Sequence, residues 1–219
     1  MLFISKKVTD KNFLAFVKTV GIDLIDQPMI AFEAVKFDCP KEDFEVIFFT
    51  SPRSASFYLD QCEIPSTVEI ATIGKVTSEY VESRGYKVNF TGVASGVPTL
   101  VSKDFKKFVN GRKVLFPQSN YSHRSMQNRL IEYQIIDLIV YQTVLKPVQL
   151  QNESSILVFT SPTNAASFLQ LNTIQPHQKV IAWGKTTEGF LGQQGIKSDF
   201  TLFYSSFTEL KEVLKKNFF

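Results

Sequence analysis

Two serine–proline turns are the residues of this chain whose type and spacing first suggest chemistry. Ser51 follows the apolar segment VIFFT and Ser161 follows ILVFT, and a proline comes directly after each serine. A serine between a strand and a proline is a typical first residue of a helix, where its side chain caps the backbone. The N–H groups of such a helix end can also bind an anion, which is compatible with capping because the serine occupies only some of them.

Two glycine–lysine turns form a second pair, and each again follows a strand-like segment and opens a helix-like one. Their residues are Gly74, Lys75, Gly184, Lys185, Thr186 and Thr187. Glycine would let a ligand approach the backbone closely, although a plain glycine turn with a solvated lysine is the simpler interpretation. Because the GxxxxGK[ST] and GxGxxG patterns are missing, we do not predict nucleotide binding. Four such turns, with charge added by Arg53, Lys75 and Lys185, would instead suit a ligand that carries many carboxylates.

Tyr141 is the remaining candidate, at the end of the predicted strand 136–141 and within the segment DLIVYQTV. Its ring could simply pack in the core. Its hydroxyl could also donate a hydrogen bond or a proton to a ligand, since a phenol keeps its proton at neutral pH. The two histidines, His123 and His177, lie far from the serine motifs and from any metal-ligand partner, so the sequence predicts neither a nucleophilic triad nor a metal site.

The turns occur in pairs because the chain contains the same stretch twice. The matched pairs, each 110 positions apart, are Ser51 and Ser161, Gly74 and Gly184, Thr77 and Thr187, and Gly85 and Gly195. A constant offset without gaps indicates two similar units. Paired units would form a cleft, to which both could present the same backbone donors.

Short apolar runs alternate with amphipathic stretches, which predicts an α/β fold with parallel sheets covered on both faces. The predicted strands lie at 45–50, 68–73, 113–116, 136–141, 156–160 and 179–183. The predicted helices lie at 52–60, 75–84, 99–109, 122–134, 162–170, 185–194 and 206–217.

The two copies are unequal, since the first continues through two further strand–helix units and the second ends about three strands after it starts. The N-terminal segment, with a strand, a helix and a further apolar strand, could complete the second copy. The predicted layout is one domain from 1–32 plus 148–219, another from 40–138, and a two-stranded β linker at 33–39 and 139–147.

Composition excludes several classes of protein. The 44% of hydrophobic residues and 21% of charged residues are ordinary for a globular protein, and a net charge of +3 is too small to indicate a nucleic-acid partner. No apolar run approaches the roughly 18–20 residues of a membrane-spanning helix, and the start has no leader pattern. Cys39 and Cys62 fall in no CxxC or metal-ligand spacing, so we expect free thiols in a reducing compartment and a cytoplasmic protein.

The ordered set of motifs resembles the uroporphyrinogen-III synthase family. The set consists of VYQTV at 140–144, the paired FTSP segments, the FP-x-x-N pattern at 116–120 and the GKTT turn near the C-terminus. Each motif is short, but in order they cover essentially the whole chain. The resemblance implies two Rossmann-like or flavodoxin-like parallel-sheet domains joined by a two-stranded β linker, with the N-terminal segment in the C-terminal half.

The resemblance also implies a reaction. Enzymes of this family convert linear hydroxymethylbilane to uroporphyrinogen III, a step of haem and related tetrapyrrole biosynthesis, with loss of water and inversion of ring D, and they use no cofactor or metal. Tyr141 would assist departure of the substrate hydroxyl. The substrate carboxylates would be bound through Ser161, Thr186 and Thr187 in one domain and through Ser51, Arg53, Gly74 and Lys75 in the other.

The chain also departs from the family pattern. Lys6 and Lys7 stand where the family often has an Arg-Pro turn after its first strand. Trp183, directly before Gly184, is bulkier than the residue expected there.

Two other functions fit parts of the pattern. One is a non-enzymatic two-lobed binding module for an anionic small molecule, which would be indifferent to Tyr141→Phe. The other is a sugar-nucleotide transferase, which the missing phosphate-loop glycines and the length of 219 residues disfavour. For this chain we expect a monomer whose partner is a small-molecule substrate, hydroxymethylbilane, and neither nucleic acid nor a membrane.

Overall fold

Strands and helices alternate along almost the whole chain, and most lie where the sequence predicts them. The structure, a computed structural model, describes residues 1–41, 44–93 and 97–218. The strands are β1 (Leu2–Ile4), β2 (Leu24–Asp26), β3 (Ile30–Ala34), β4 (Val46–Phe49), β5 (Glu69–Thr72), β6 (Phe90–Thr91), β7 (Val114–Ser119), β8 (Ile135–Leu145), β9 (Ile156–Phe159), β10 (Lys179–Ala182) and β11 (Phe200–Thr201). The helices are α1 (Lys11–Thr19), α2 (Pro52–Leu59), α3 (Lys75–Ser83), α4 (Pro98–Val109), α5 (Pro162–Phe168), α6 (Lys185–Gln193) and α7 (Phe207–Phe218).

The chain divides into two compact units, Met1–Ala31 with Val144–Phe219 and Phe32–Thr143. It therefore passes from one unit to the other twice, at β3 and at β8, and these two strands are neighbours in one sheet. The domain and linker bounds drawn from the sequence stay a prediction. Within the described residues, no helix combines the length and apolarity that crossing a bilayer requires.

The first unit holds a five-stranded sheet in the order β11-β10-β9-β1-β2, and every neighbouring pair is parallel. The side chains of β1 alternate between the two faces of this sheet. Leu2 and Ile4 pack in a cluster with residues of α1 and α7, whereas Phe3 packs against Phe159 and Phe168 on the other face. All three β1 side chains are fully buried, as expected for a central strand covered on both faces.

The second unit holds a six-stranded sheet in the order β3-β8-β7-β4-β5-β6, and the pairs from β8 to β6 are parallel. The central strand β4 again alternates. Ile47 and Phe49 join a cluster with Tyr58 of α2, whereas Phe48 packs its ring 4.7 Å from that of Phe105 in α4.

The two sheets share one strand order. In the second unit, β4 is the strand before the serine–proline turn. If β4 to β8 are numbered 1 to 5 along the chain, their order across the sheet is 3-2-1-4-5. The first unit has the same order across its sheet when β9, β10, β11, β1 and β2 are numbered 1 to 5 in that sequence. This is the order of Rossmann-type sheets, whose ligands bind outside the carboxyl ends of the strands. The predicted α/β class with parallel sheets is therefore confirmed.

The helix predicted at 122–134 is wrong. This stretch contains a 3₁₀ turn, Gln127–Arg129, and Arg124 has a φ of 51°, outside helical geometry. The buried side-chain amide of Gln127 donates hydrogen bonds to Gln118 (2.7 Å) and Asp137 (3.0 Å). These tertiary contacts override the amphipathic spacing. The short strands β2, β6 and β11 are not predicted either, because two or three residues carry too little pattern.

The expectation of free thiols is also wrong. Cys39 and Cys62 form a disulfide with Cα atoms 5.8 Å apart, in the usual range. The segment after β3 runs past the end of α2, where the side chain of Gln61 donates a hydrogen bond to the carbonyl of Val35 (3.1 Å). This packing joins two cysteines that are 23 positions apart, which spacing alone does not reveal. Because the cysteines are bonded to each other, they give no support to the predicted reducing compartment.

We expect removal of this disulfide to lower the free energy of unfolding by about 2 kcal/mol, because the bond restricts the unfolded chain. Urea denaturation of the wild type with and without dithiothreitol measures the effect. The double variant Cys39→Ser/Cys62→Ser is the control, since its midpoint should not respond to reductant. Equal midpoints for oxidised and reduced wild type would contradict the prediction.

Candidate functional site

Both serine–proline turns lie at the carboxyl ends of central strands, and the capping predicted for both serines is confirmed. At the start of α2, Ser51 Oγ accepts a hydrogen bond from the backbone N–H of Ser54 (3.1 Å). At the start of α5, Ser161 Oγ accepts hydrogen bonds from the backbone N–H of Asn164 (3.1 Å) and from its side chain (2.9 Å). Asn164 Oδ1 in turn accepts the buried N–H of Met29 (3.0 Å). Because the serine oxygens serve as caps, an anion at these turns would meet mainly backbone N–H groups.

The glycine–lysine turns lie at the same sheet edges as the serines. Gly74 and Gly184 are the N-caps of α3 and α6 and follow β5 and β10, which pair with β4 and β9. Their φ angles of 174° and 178° are extended, so the backbone does not require glycine there. At Gly184 the restriction is steric, since an added Cβ would lie 3.1 Å from Ser205 Oγ. The structure therefore brings Ser51 beside Gly74 in one sheet, and Ser161 beside Gly184 in the other.

The lysines of these turns have partners within their own helices. Lys75 pairs with a carboxylate one turn along α3 (3.6 Å), and Lys185 pairs with Glu188 (2.9 Å). Hydrogen bonds, chiefly the one from Lys185, lower the pKa of Glu188. Of the two threonines, Thr186 is exposed and Thr187 is buried. Thr186 is thus the one whose side chain a ligand could reach directly.

A β-bulge sets the orientation of Tyr141 in β8. The register between β7 and β8 shifts at Gln118 and Ser119, so that Ser119 pairs with Tyr141. Val140 and Tyr141 accordingly pack in the same core cluster, whereas a regular strand would turn consecutive side chains to opposite faces. Bulges of this kind re-aim a side chain and are common beside active sites.

The Tyr141 ring is held between two phenylalanines. It stacks on Phe57 of α2, with ring centroids 5.0 Å apart, and meets Phe32 of β3 edge-on at 6.0 Å. The guanidinium carbon of Arg53 lies 3.5 Å from the centroid of the same Phe32 ring. Within the part of the chain that the structure describes, no protein group is hydrogen-bonded to the Tyr141 hydroxyl. The ring is therefore fixed while the hydroxyl is available to a ligand.

Asn120 positions the backbone around Tyr141. Its N–H donates to the carbonyl of Tyr141 (3.3 Å), and its Oδ1 accepts the N–H of Thr143 (3.0 Å). The FP-x-x-N pattern at 116–120 points to this residue, although the sequence does not reveal that the asparagine contacts VYQTV. Phe32 and Phe57 carry no comparable signal, because aromatic residues in apolar runs are common in any core.

The candidate residues supply three kinds of chemical group: backbone N–H donors at the helix starts, the phenol of Tyr141, and the ammonium groups of Lys75 and Lys185. Among residues 1–41, 44–93 and 97–218, no cluster of three or more histidine, cysteine, aspartate or glutamate side chains could hold a metal ion. The groups present can bind carboxylates and donate a proton or a hydrogen bond.

Comparison with known proteins decides which family has this arrangement. The model of the family described as uroporphyrinogen-III synthase HemD matches residues 13–201. The chain belongs to this family. A curated relative, uroporphyrinogen-III synthase from Chlorobaculum parvum, is 25% identical over 179 residues, which cover 71% of this chain and 72% of the relative.

Solved structures show the same fold. Uroporphyrinogen-III synthetase from Helicobacter pylori superimposes with a TM-score of 0.74 at 18% identity, covering 98% of both chains. A mutant uroporphyrinogen III synthase from Thermus thermophilus gives a TM-score of 0.60 at 13% identity, covering 98% of this chain and 97% of that one.

Members of the uroporphyrinogen-III synthase family are enzymes of tetrapyrrole biosynthesis that cyclise hydroxymethylbilane, and this chain is one of them. The identification supports the synthase hypothesis and gives no support to the non-enzymatic binding module.

Proposed function

We propose that this chain closes hydroxymethylbilane to uroporphyrinogen III, with loss of water and inversion of ring D, and that Tyr141 assists the loss of water. The observation that supports Tyr141 is its combination of a fixed ring and a hydroxyl with no protein partner among the described residues. A group that donates to a substrate needs both properties, since a mobile ring would lose the alignment and a bonded hydroxyl would be occupied.

The chemistry asks for a donor at the terminal hydroxyl of the substrate. Tyr141 donates a proton to that oxygen, the C–O bond breaks, and water leaves with the bonding electrons. The lone pair of the adjacent pyrrole nitrogen stabilises the resulting cation, which becomes the neutral azafulvene when this nitrogen loses its proton. The substituted α-carbon of ring D attacks the azafulvene and forms a spiro intermediate. The bond from this carbon to the methylene bridge of ring C then breaks, and the free α-carbon of ring D bonds to that methylene and loses its proton, which leaves ring D inverted. The protein mainly holds the chain so that inversion precedes closure, which is catalysis by positioning.

The substrate carboxylates are bound, in this proposal, at the helix starts that follow adjacent parallel strands. The residues concerned are Ser51, Arg53, Gly74 and Lys75 in one unit, and Ser161, Thr186 and Thr187 in the other. The position of these turns at the strand carboxyl ends supports this role. The exposed ion pairs of Lys75 and Lys185 are no obstacle, because such pairs contribute only about 0–1 kcal/mol and exchange partners readily.

Three further expectations accompany the proposal. The domain division at 1–32 plus 148–219 and 40–138 stays a prediction, which limited proteolysis at the linker segments would test. A monomeric state stays a prediction for light scattering. A cytoplasmic location stays a prediction for cell fractionation.

A coupled assay tests the function directly. Hydroxymethylbilane is generated enzymatically in the presence of the purified protein, and the uroporphyrin isomers are separated after oxidation. We expect the type III isomer, whereas spontaneous closure without the protein gives type I. Type I alone from correctly folded protein would refute the proposed function.

A further inference from the structure

Lys6 lies at the carboxyl end of β1, an interior strand of the five-stranded sheet. It follows β1 by two positions, and Ser5 before it is fully buried. Ser5 Oγ accepts the backbone N–H of Thr160 (2.8 Å), and the Ser5 N–H donates to the carbonyl of Val158 (3.0 Å). These bonds tie the end of β1 to the end of β9. The backbone of Lys6 is therefore fixed at the edge where ligands of parallel sheets bind.

The Lys6 side chain reaches past the end of β9 to two aromatic rings. Its Nζ lies 4.9 Å from the centroid of the Trp183 ring, after β10, and 4.8 Å from that of Phe207, the first residue of α7. The two rings contact each other edge-to-face at 5.0 Å. A cation over two ring faces is held by electrostatic attraction to their π systems.

The backbone beside Phe207 is held in place. Ser206 Oγ accepts the N–H of Glu209 (3.2 Å) at the start of α7, and the Glu209 carboxylate accepts the N–H groups of Phe203 (2.6 Å) and Tyr204 (2.7 Å). These bonds fix the turn from which Phe207 projects. The cation therefore lies in a preformed aromatic corner.

A second feature of Lys6 is the lack of an anionic side-chain partner among the residues that the structure describes. No carboxylate of the described residues lies within 4.0 Å of Lys6 Nζ, and no described group accepts a hydrogen bond from it. The side chain is half-buried, and burial lowers the pKa of its amine. Aromatic rings attract the ammonium group but accept its N–H groups poorly. The neighbouring Lys7 is different, because it is exposed and pairs with Asp26 (3.0 Å).

We infer that Lys6, with Trp183 and Phe207, binds one carboxylate of the substrate, that of an acetate or propionate side chain on a pyrrole ring. The inference rests on the proposed function, which supplies a ligand rich in carboxylates. A single ammonium group held by rings on one side leaves its other side open to one anion, and a carboxylate there completes its hydrogen bonds. The pyrrole that bears the carboxylate can at the same time contact the Trp183 ring.

Kinetics of three variants test the inference. Lys6→Met removes the charge and keeps the length, Lys6→Arg keeps the charge, and Lys7→Met is the matched control. We expect Lys6→Met to raise KM for hydroxymethylbilane roughly tenfold or more with kcat little changed, because a charged hydrogen bond to the ligand is lost. Lys6→Arg and Lys7→Met should keep KM within about twofold of the wild type. Thermal unfolding checks that each variant is folded, and methionine fits among aromatic rings.

A binding measurement gives a second readout that does not depend on turnover. Trp183 is the sole tryptophan of the chain, so its fluorescence reports on this corner alone. Uroporphyrinogen III, kept reduced under argon, should change the Trp183 emission of the wild type and of Lys7→Met at lower concentration than that of Lys6→Met.

The outcomes separate the two claims. Wild type that gives only the type I isomer refutes the proposed function, and the inference fails with it. Active wild type with a Lys6→Met KM within about twofold overturns the Lys6 inference alone. Equal rises of KM for Lys6→Met and Lys7→Met also overturn it, because general attraction between a cationic protein and an anion would then explain both.

Discussion

Replacing Tyr141 with phenylalanine reduces the turnover of hydroxymethylbilane roughly a hundredfold and leaves the fold intact, since a positioned proton donor contributes on this scale. The ring contacts that hold residue 141, to Phe57 and Phe32, do not involve the hydroxyl and persist in the variant. The lost oxygen has no partner among the described residues, so no buried group is left unsatisfied. Single-turnover kinetics with isomer analysis measures the effect.

Tyr58→Phe is the matched control for Tyr141→Phe. Tyr58 belongs to the same core cluster and is buried, and its ring stacks on Phe37 at 5.9 Å. Burial, followed by the charge of Tyr86, raises the pKa of Tyr58 to about 12, so its hydroxyl stays protonated in any assay near neutral pH. We expect wild-type turnover from this variant. If Tyr141→Phe also kept wild-type turnover, Tyr141 would be a packing residue and the proposed role would be wrong.

Gly92→Ala lowers the free energy of unfolding by about 3 kcal/mol, because the site has no room for a methyl group. Gly92 follows β6, and its N–H donates to the carbonyl of Thr72 (3.0 Å). An added Cβ would lie 2.4 Å from the carbonyl oxygen of Ile73 and 2.7 Å from Cγ1 of Val101. The first contact is with backbone, which cannot move aside like a side-chain end, so either β6 or the end of β5 must shift.

Gly189→Ala is the control for Gly92→Ala, and we expect it to change the free energy of unfolding in the opposite direction. Gly189 lies inside α6 and is exposed, and a Cβ there would meet no atom within 4 Å. Alanine in a helix interior is favoured over glycine by about 0.5–1 kcal/mol, so this variant should be more stable than the wild type. Chemical denaturation of both variants gives the two changes. A Gly92→Ala protein as stable as the wild type would show that β6 adapts freely.

The sequence repeat and the structure lead to different expectations for the side chain that position 92 can hold. The position that matches it in the second copy is Leu202, which is buried and donates the equivalent hydrogen bond, from its N–H to the carbonyl of Ala182 (2.9 Å). The repeat therefore suggests that position 92 tolerates a large side chain. In the unit that contains Gly92, however, Val101 of α4 occupies the space that a side chain at position 92 would need. Equivalent backbones can hold different side chains, because local packing decides the available volume.

The sequence by itself determined the features that depend on neighbouring residues. The caps at Ser51 and Ser161 follow from a serine placed between an apolar strand and a proline. Alternating apolar and amphipathic runs gave the α/β class, and the ordered motifs gave the family resemblance that the match over residues 13–201 supports. Each of these signals lies within a few positions of chain, where backbone propensity and hydrophobic period act directly.

Only the tertiary structure decided the features that join residues far apart in the chain. The bulge that places Tyr141 in the same core cluster as Val140 depends on the pairing of β8 with β7, and the disulfide depends on a segment passing the end of α2. The cation of Lys6 meets Trp183 because β1 and β10 flank β9 in the sheet. Such contacts arise when the sheets assemble, and the free energy that fixes them comes from burial and pairing across the sheet rather than from local preference.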